Sequence, residues 1–236
     1  MVTLRHVKMQ SPGAGVGAPT GKLPNKADKM MIKVLGRPNS VNVQKVMWCA
    51  GELGLNVDRA DIGGAFGGTD TDEFGALNPN RTVPVLLDGD FSLYESNAIV
   101  RYLCATYGGP EWSLPTGTEK ARAEQWMDWY LTTLHPPMTA LFWQLVRTPE
   151  EERDQAKVDA AIAECTQKWS ILERHLEDRA FVLGDTLSMA DIPVGCSAYR
   201  WHCMDFNRPE LPNLRRWWDS LVERETYKTG VMVPIT

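Results

Sequence analysis

No stretch of this chain approaches the roughly 20 apolar residues that a membrane-spanning helix requires, so its 236 residues give no spanning segment. Clustered cations are missing as well. The formal net charge is −5, and a mild acid excess excludes the basic stripe that a nucleic-acid or anionic-membrane partner needs. The five cysteines, Cys49, Cys104, Cys165, Cys196 and Cys203, are odd in number and show no C-x-x-C spacing. They read as free thiols of a reducing, cytoplasmic compartment rather than as a disulfide framework. The four histidines, His6, His135, His175 and His202, are scattered without ligand spacing, so no metal centre is expected. Gly63-Gly64-Ala65-Phe66-Gly67-Gly68 carries no phosphate-loop lysine and is expected to be a mobile connection.

What the chain does contain is concentrated between Val83 and Tyr102. The apolar run Val85 to Leu87 meets Asp88-Gly89-Asp90, whose Asp-Gly pair suits a tight hairpin turn, and a second short strand, Phe91 to Leu93, follows. Ala98, Ile99, Tyr102 and Leu103 then fall at helical spacing behind Glu95-Ser96, which places an acid and a hydroxyl at a helix N-terminus. Free N–H groups and a positive partial charge at such an end suit a ligand carboxylate.

The run Asn78-Pro79-Asn80-Arg81-Thr82-Val83-Pro84-Val85-Leu86, followed by Leu93-Tyr94-Glu95-Ser96-Asn97-Ala98-Ile99, resembles the glutathione-binding half of cytosolic glutathione S-transferases, with two motifs matching in order and spacing. The resemblance implies a cis peptide bond before Pro84 and glutathione as co-substrate. It assigns Val83 to the cysteinyl backbone, Glu95 to the γ-glutamyl amino group and Ser96 to the γ-glutamyl carboxylate. Thr82 and Pro84 complete that run, and Arg81 falls where many relatives place a cation near the glycyl carboxylate.

Before this stretch, Ile32-Lys33-Val34-Leu35 reads as a buried strand. A helix from Asn42 to Leu55 and a second strand from Val57 to Ile62 follow. Strand, helix, strand, loop, hairpin, helix is a thioredoxin-like order. Thirteen of the nineteen glycines lie before Gly108 and eight of the nine tryptophans after it, so the second half is a different kind of structure. Its long amphipathic segments, the clearest carrying Val158, Ile162, Cys165, Trp169, Leu172 and Leu176, make it all-helical. The expected organisation is therefore a flexible extension over 1–30, a thioredoxin-like α/β domain over 31–107, a linker over 108–117 and an all-α domain over 118–236. A helix from about Glu119 to Leu134 should be bent or broken by His135-Pro136-Pro137. Leu187-Ser188-Met189-Ala190-Asp191-Ile192 combines a cap, a shortened capping box and a hydrophobic staple, so Asp191 reads as a folding residue.

A glutathione transferase must hold its thiol as the nucleophilic thiolate. Lowering a thiol pKa of about 8.5 by about two units takes roughly 2.7 kcal/mol. One hydrogen bond to a charged acceptor contributes about 1.5–3 kcal/mol, and a nearby helix N-terminus about 0.3–1 more. One hydroxyl at the start of the first helix therefore suffices.

Ser40 meets that description. Ser40-Val41-Asn42-Val43-Gln44-Lys45-Val46 resembles the serine-type, theta-like and bacterial transferases, whose serine donates to sulfur, and also the nu-like group, in which an asparagine two residues on shares the task. Ser40 and Asn42 are both candidates. No tyrosine ends the first strand, and Cys49 lies two turns inside the helix, which disfavours tyrosine-type and protein-thiol mechanisms. The resemblance implies conjugation of glutathione to a small hydrophobic electrophile, in a homodimer, with Trp126, Trp129, Tyr130 and Thr133 as candidate walls. A glutathione-dependent disulfide reductase and a non-catalytic binding module are the alternatives.

Overall fold

In the computed structural model, the described residues are 32–114 and 116–236; the expected extension over 1–30 lies outside them. Four short strands, β1 (Ile32–Leu35), β2 (Val57–Ala60), β3 (Val85–Asp88) and β4 (Phe91–Tyr94), form one sheet in the order β2-β1-β3-β4. β1 runs parallel to β2 and antiparallel to β3, which pairs antiparallel with β4. The first pairing needs a crossover, and α1 (Val41–Glu52) supplies it. The hairpin turns on Gly89-Asp90, since Asp88 still pairs with Phe91, and Gly89 has φ +61°. α3 (Ser96–Tyr107) packs beside α1 on one face of the sheet, completing the thioredoxin-like layer.

α2 (Asp72–Leu77) falls in what reads from sequence as plain loop. Thr71 caps it by accepting from the Phe74 N–H at 3.2 Å, and Phe74 is its one buried residue. Gly64–Phe66 forms a single 3-10 turn inside the glycine-rich segment. Within the stretch expected to link the two halves lies the short α4 (Pro110–Ser113).

The second half is helical throughout: α5 (Gly117–Trp129), α6 (His135–Phe142), α7 (Gln155–His175), α8 (Asp191–Cys203), α9 (Pro212–Val222) and α10 (Glu225–Gly230). His135-Pro136-Pro137 does not end the helix. A π turn over Tyr130–Leu134 joins α5 to α6, and a second π turn over Trp143–Arg147 follows. Wider i→i+5 bonding just before the prolines shifts the carbonyls that their missing N–H groups would leave unpaired, so the chain passes through them in αR geometry. None of the helices among the described residues is long and apolar enough to cross a membrane.

One local device ties the helical half together and another joins the two halves. Asp191, fully buried, accepts from the Ser188 N–H and Oγ, the Val182 N–H and the indole Nε1 of Trp217 at 2.9–3.0 Å. It is thus the first residue of α8 and a four-fold acceptor tying three segments together. Trp48, the lone tryptophan of the first half, is buried against α8 and α10. A Cβ at Gly195 would lie 2.6 Å from its ring, and Tyr227 meets it edge-on at 4.8 Å. Only glycine permits that approach.

Candidate active site

α1 follows β1 after the turn over 36–40, and the candidate residues Ser40 and Asn42 lie at its start. Ser40 is the N-cap residue, with φ −83° and ψ 121°, yet its side chain makes no capping bond, so its hydroxyl is not spent on the helix. The helix starts at Val41, one residue before the sequence reading, which brings Asn42 into the first turn. Asn42 Oδ1 accepts from Lys45 Nζ at 2.9 Å and from Ser96 Oγ at 3.3 Å, which leaves the Asn42 amide Nδ2 as a donor.

Lys45 is the residue that sequence reasoning passed over. Its side chain is fully buried between α1 and α3, where Nζ donates to Asn42 Oδ1, to Ser96 Oγ at 3.3 Å and to Asn97 Oδ1 at 3.4 Å, and lies 4.4 Å from the centre of the Tyr130 ring. Burial pushes its pKa down to about 7; the charges of Cys196 and Glu95 act upward against this, and that of Arg200 acts downward. A buried cation and the N-terminus of α3 therefore converge on Ser96. That corner favours an anion.

The other half of the site comes from the segment before β3 and the start of α3. The Val83–Pro84 peptide bond is cis. The Val83 side chain lies against Gly36 at the end of β1, where a Cβ on that glycine would stand 3.3 Å from Val83 Cβ. Glu95 is exposed and has φ +70°, a left-handed conformation that a carboxylate-bearing residue adopts only when its surroundings impose it. Ser96 follows it, buried, in the first turn of α3. Thr82 is held from behind by Asn78, whose Nδ2 donates to the Thr82 carbonyl at 2.8 Å. Arg81 is turned onto the loop before α2. Its Nη1 donates to the Thr69 and Thr71 carbonyls at 3.1 and 2.8 Å, and Asp72 stands 3.8 Å away. Asn97 anchors the corner to the helical half through Met127 O at 3.0 Å.

Toward the second half, Tyr130 is buried under Lys45. Ser197 Oγ donates to its oxygen at 3.1 Å, and the phenol oxygen and His135 Nδ1 share a hydrogen bond at 3.0 Å. Burial, with the charges of Lys45 and Arg200, pushes His135 down to about 4, so it is neutral at physiological pH. Trp126 and Trp129 stack edge to face at 5.1 Å, and Trp126 lies on His175 of α7 at 4.4 Å, which places that pair among the helical packing. Thr133 sits half-buried beside Thr132. Arg200 reaches from α8 to the Asn39 carbonyl at 3.0 Å, one residue before Ser40, while Arg37 donates to Asn39 Oδ1 at 3.0 Å. Cys49 is sealed in the core with its sulfur 3.7 Å from that of Cys104, and the hydrogen bond to Cys104 together with burial raises its pKa. It is a packing residue, not a nucleophile.

Residues 35–111 match the family model "Glutathione S-transferase, N-terminal domain", and residues 134–225 match "Glutathione S-transferase, C-terminal domain". The chain is 39% identical over 208 residues to glutathione S-transferase GstB of Escherichia coli strain K12, covering 87% of this chain and all of that one. It is 29% identical over 215 residues to glutathione S-transferase 3 of Zea mays, across 86% of this chain and 95% of the relative. Among solved structures it is similar to the theta class glutathione S-transferase of Xanthomonas axonopodis pv. citri with glutathione bound. That match has 43% identity and a TM-score of 0.84, over 87% of this chain and 99% of the other.

Proposed function

The chain belongs to the glutathione S-transferase family, and from that premise we propose that it binds glutathione across the first turns of α1 and α3 and joins its sulfur to a small electrophile. The observation that carries this reading is the uncommitted Ser40 hydroxyl at the N-terminus of α1, on the same end of the sheet as the cis Val83–Pro84 bond and the Ser96 corner. In this reading Ser40 donates to the thiolate, and the helix end adds its partial charge. Asn42, with its oxygen taken by Lys45 and Ser96, offers its amide N–H as a second donor.

Val83 supplies backbone N–H and C=O to the cysteinyl unit, in the manner of a short added strand. Ser96, the α3 N-terminus and the charge of Lys45 receive the γ-glutamyl carboxylate, and the exposed Glu95 faces the amino group. Thr82 and Pro84 hold the backbone that presents Val83. Arg81 acts at the glycyl end through the loop it clamps. We further assign a 31–107 glutathione-binding domain, a 108–117 linker and a 118–236 helical domain, working as a cytoplasmic homodimer in the detoxification of electrophiles.

The reduction of glutathione-linked disulfides is the second reading, favoured by the free amide of Asn42. Replacing Ser40 by Ala separates the two. Conjugation to an aryl halide should fall about ten- to a hundredfold, the loss of one hydrogen bond to a charged sulfur, while the affinity for S-methylglutathione stays within about twofold. If aryl halide turnover survives in Ser40→Ala and disappears in Asn42→Ala, the asparagine is the sulfur donor and the serine assignment is withdrawn.

A further inference from the structure

Three guanidiniums crowd the turn that carries Ser40. Arg37, in that turn, and Arg200, from α8, both bond to Asn39, the residue before Ser40, at 3.0 Å each. Arg147, from the π turn after α6, joins them across Phe142: its guanidinium carbon lies 5.6 Å from that ring's centre, and Arg200's lies 4.2 Å away. Among the described residues, none of the three forms an ion pair with a carboxylate. Arg200 is largely buried and its Nε has no hydrogen-bond partner.

Like charges gathered at a half-buried point, with no acid between them, are an unfavourable arrangement for a fold on its own. Burial lowers the Arg200 pKa to about 10, and the nearby charges of Arg37 and Arg147 add to that effect against the opposing influence of Tyr130 and Cys196. The same arrangement is the donor set for a planar oxyanion, which guanidinium forks bind with matched geometry. Phe142, itself buried, holds Arg147 and Arg200 against one ring and so fixes where their guanidiniums sit. The position beside Ser40 matters, because a group bound there sits next to the sulfur rather than at either carboxylate of glutathione assigned above.

We propose that Arg37, Arg147 and Arg200 form an anion subsite beside the thiolate, so that the electrophile carries a carboxylate or a similar oxyanion. This narrows the transferase reading above and rests on it. The reaction with an aryl chloride balances simply: the thiolate lone pair forms the C–S bond, chloride leaves with the C–Cl pair, the thiol proton has already passed to solvent, and the carboxylate is unchanged.

The test is a pair of conjugates that differ only in charge, S-(4-carboxy-2-nitrophenyl)glutathione and its 4-carboxamide, titrated by calorimetry, with S-methylglutathione alongside. The full-length protein should bind the carboxylate about tenfold more tightly than the amide. Arg147→Gln, at an exposed position that folding tolerates, should bring that ratio close to one, and Arg147→Lys should restore most of it. Turnover of 4-chloro-3-nitrobenzoate against 4-chloro-3-nitrobenzamide should follow the same order. Because the ratio is what is read, any loss common to both ligands cancels. Equal affinities in the parent protein, a ratio unmoved in both Arg147→Gln and Arg37→Gln, or binding of S-methylglutathione with neither conjugate each overturns the subsite. Failure to bind S-methylglutathione as well overturns the transferase reading and the subsite with it.

Discussion

Replacing Lys45 by Met should make the protein more stable and a poorer binder of glutathione at the same time. The ammonium is fully buried, and its pKa is lowered from 10.5 to about 7. Keeping it charged there costs the fold about 5 kcal/mol relative to water, at about 1.4 kcal/mol per pH unit. Methionine is close in length and carries no charge; its gain is offset by three lost hydrogen bonds, to Asn42, Ser96 and Asn97. A net stabilisation of about 2 kcal/mol at pH 7 follows. The sign of the pH dependence is set by the lowered pKa. Between pH 7 and about 10 the unfolded chain holds a proton that the folded one has released, so parent stability rises with pH through that window, and Lys45→Met removes this rise.

Binding runs the other way. A charge about 6 Å from a carboxylate contributes about 2–3 kcal/mol at an effective dielectric constant near 20, so S-methylglutathione should bind about 30- to 150-fold more weakly to Lys45→Met at pH 6.5. The gap should narrow above pH 7, where the parent must first protonate Lys45; Glu95 favours that proton, while Arg200 opposes it and His135 stays neutral. Urea unfolding and calorimetric titration from pH 6 to 9.5 measure both effects. The reasoning is refuted if Lys45→Met is less stable than the parent at pH 7, or if the affinity gap is absent or independent of pH.

Other substitutions test the scaffold. All four partners of Asp191 are donors, so Asp191→Asn turns an amide N–H toward at least one of them. It should cost about 2–4 kcal/mol in urea unfolding, nearly as much as alanine, whereas a cost below about 1 kcal/mol would mean the network is not sustained in solution. Glu52 sits between the halves, accepting from Trp48 Nε1 at 2.9 Å and from Arg224 at 2.6–2.7 Å. Burial raises its pKa, but the hydrogen bonds from Arg224, Thr226 and Trp48 outweigh it and hold the carboxyl below its ordinary value. Its contribution is thus present above about pH 4.3 and lost as pH falls through the lower folded value. Glu52→Gln should flatten that acid limb and cost about 2–3 kcal/mol at pH 7, read as a shift of the thermal midpoint with pH.

How legible each part was follows from how local it is. The β3–β4 hairpin and the Glu95-Ser96 helix start each rest on fewer than ten consecutive residues, and their residues stand where the pattern put them, whereas α8 starts at Asp191 with Ala190 rather than Ser188 at its cap position, and the Asp191 network draws Val182 and Trp217 from outside the motif. α2 announced itself only through Thr71 and the acids Asp72 and Glu73, because a six-residue helix burying Phe74 alone has no periodicity to read. The chain passes through Pro136 and Pro137 because of π bonding in the turn before them, which no residue type signals. Lys45 lies on a helix face that reads as apolar, and its burial depends on Ser96, Asn97 and Tyr130 arriving from two other helical segments. The Arg37, Arg147 and Arg200 cluster draws on three distant stretches, and nothing within any one of them marks it.

The indole of Trp48 is rooted in the same helix that begins with Ser40 and Asn42, yet it packs against Gly195 and Tyr227, and Gly230 lies against the Trp48 backbone. α1 is therefore packed into both halves, against α3 on one side and α8 and α10 on the other, with Ser40 and Asn42 at its start. Selection on this molecule can consequently retune its reactivity from remote packing positions, and a methyl group at Gly195 should alter turnover before it alters anything that touches the tripeptide.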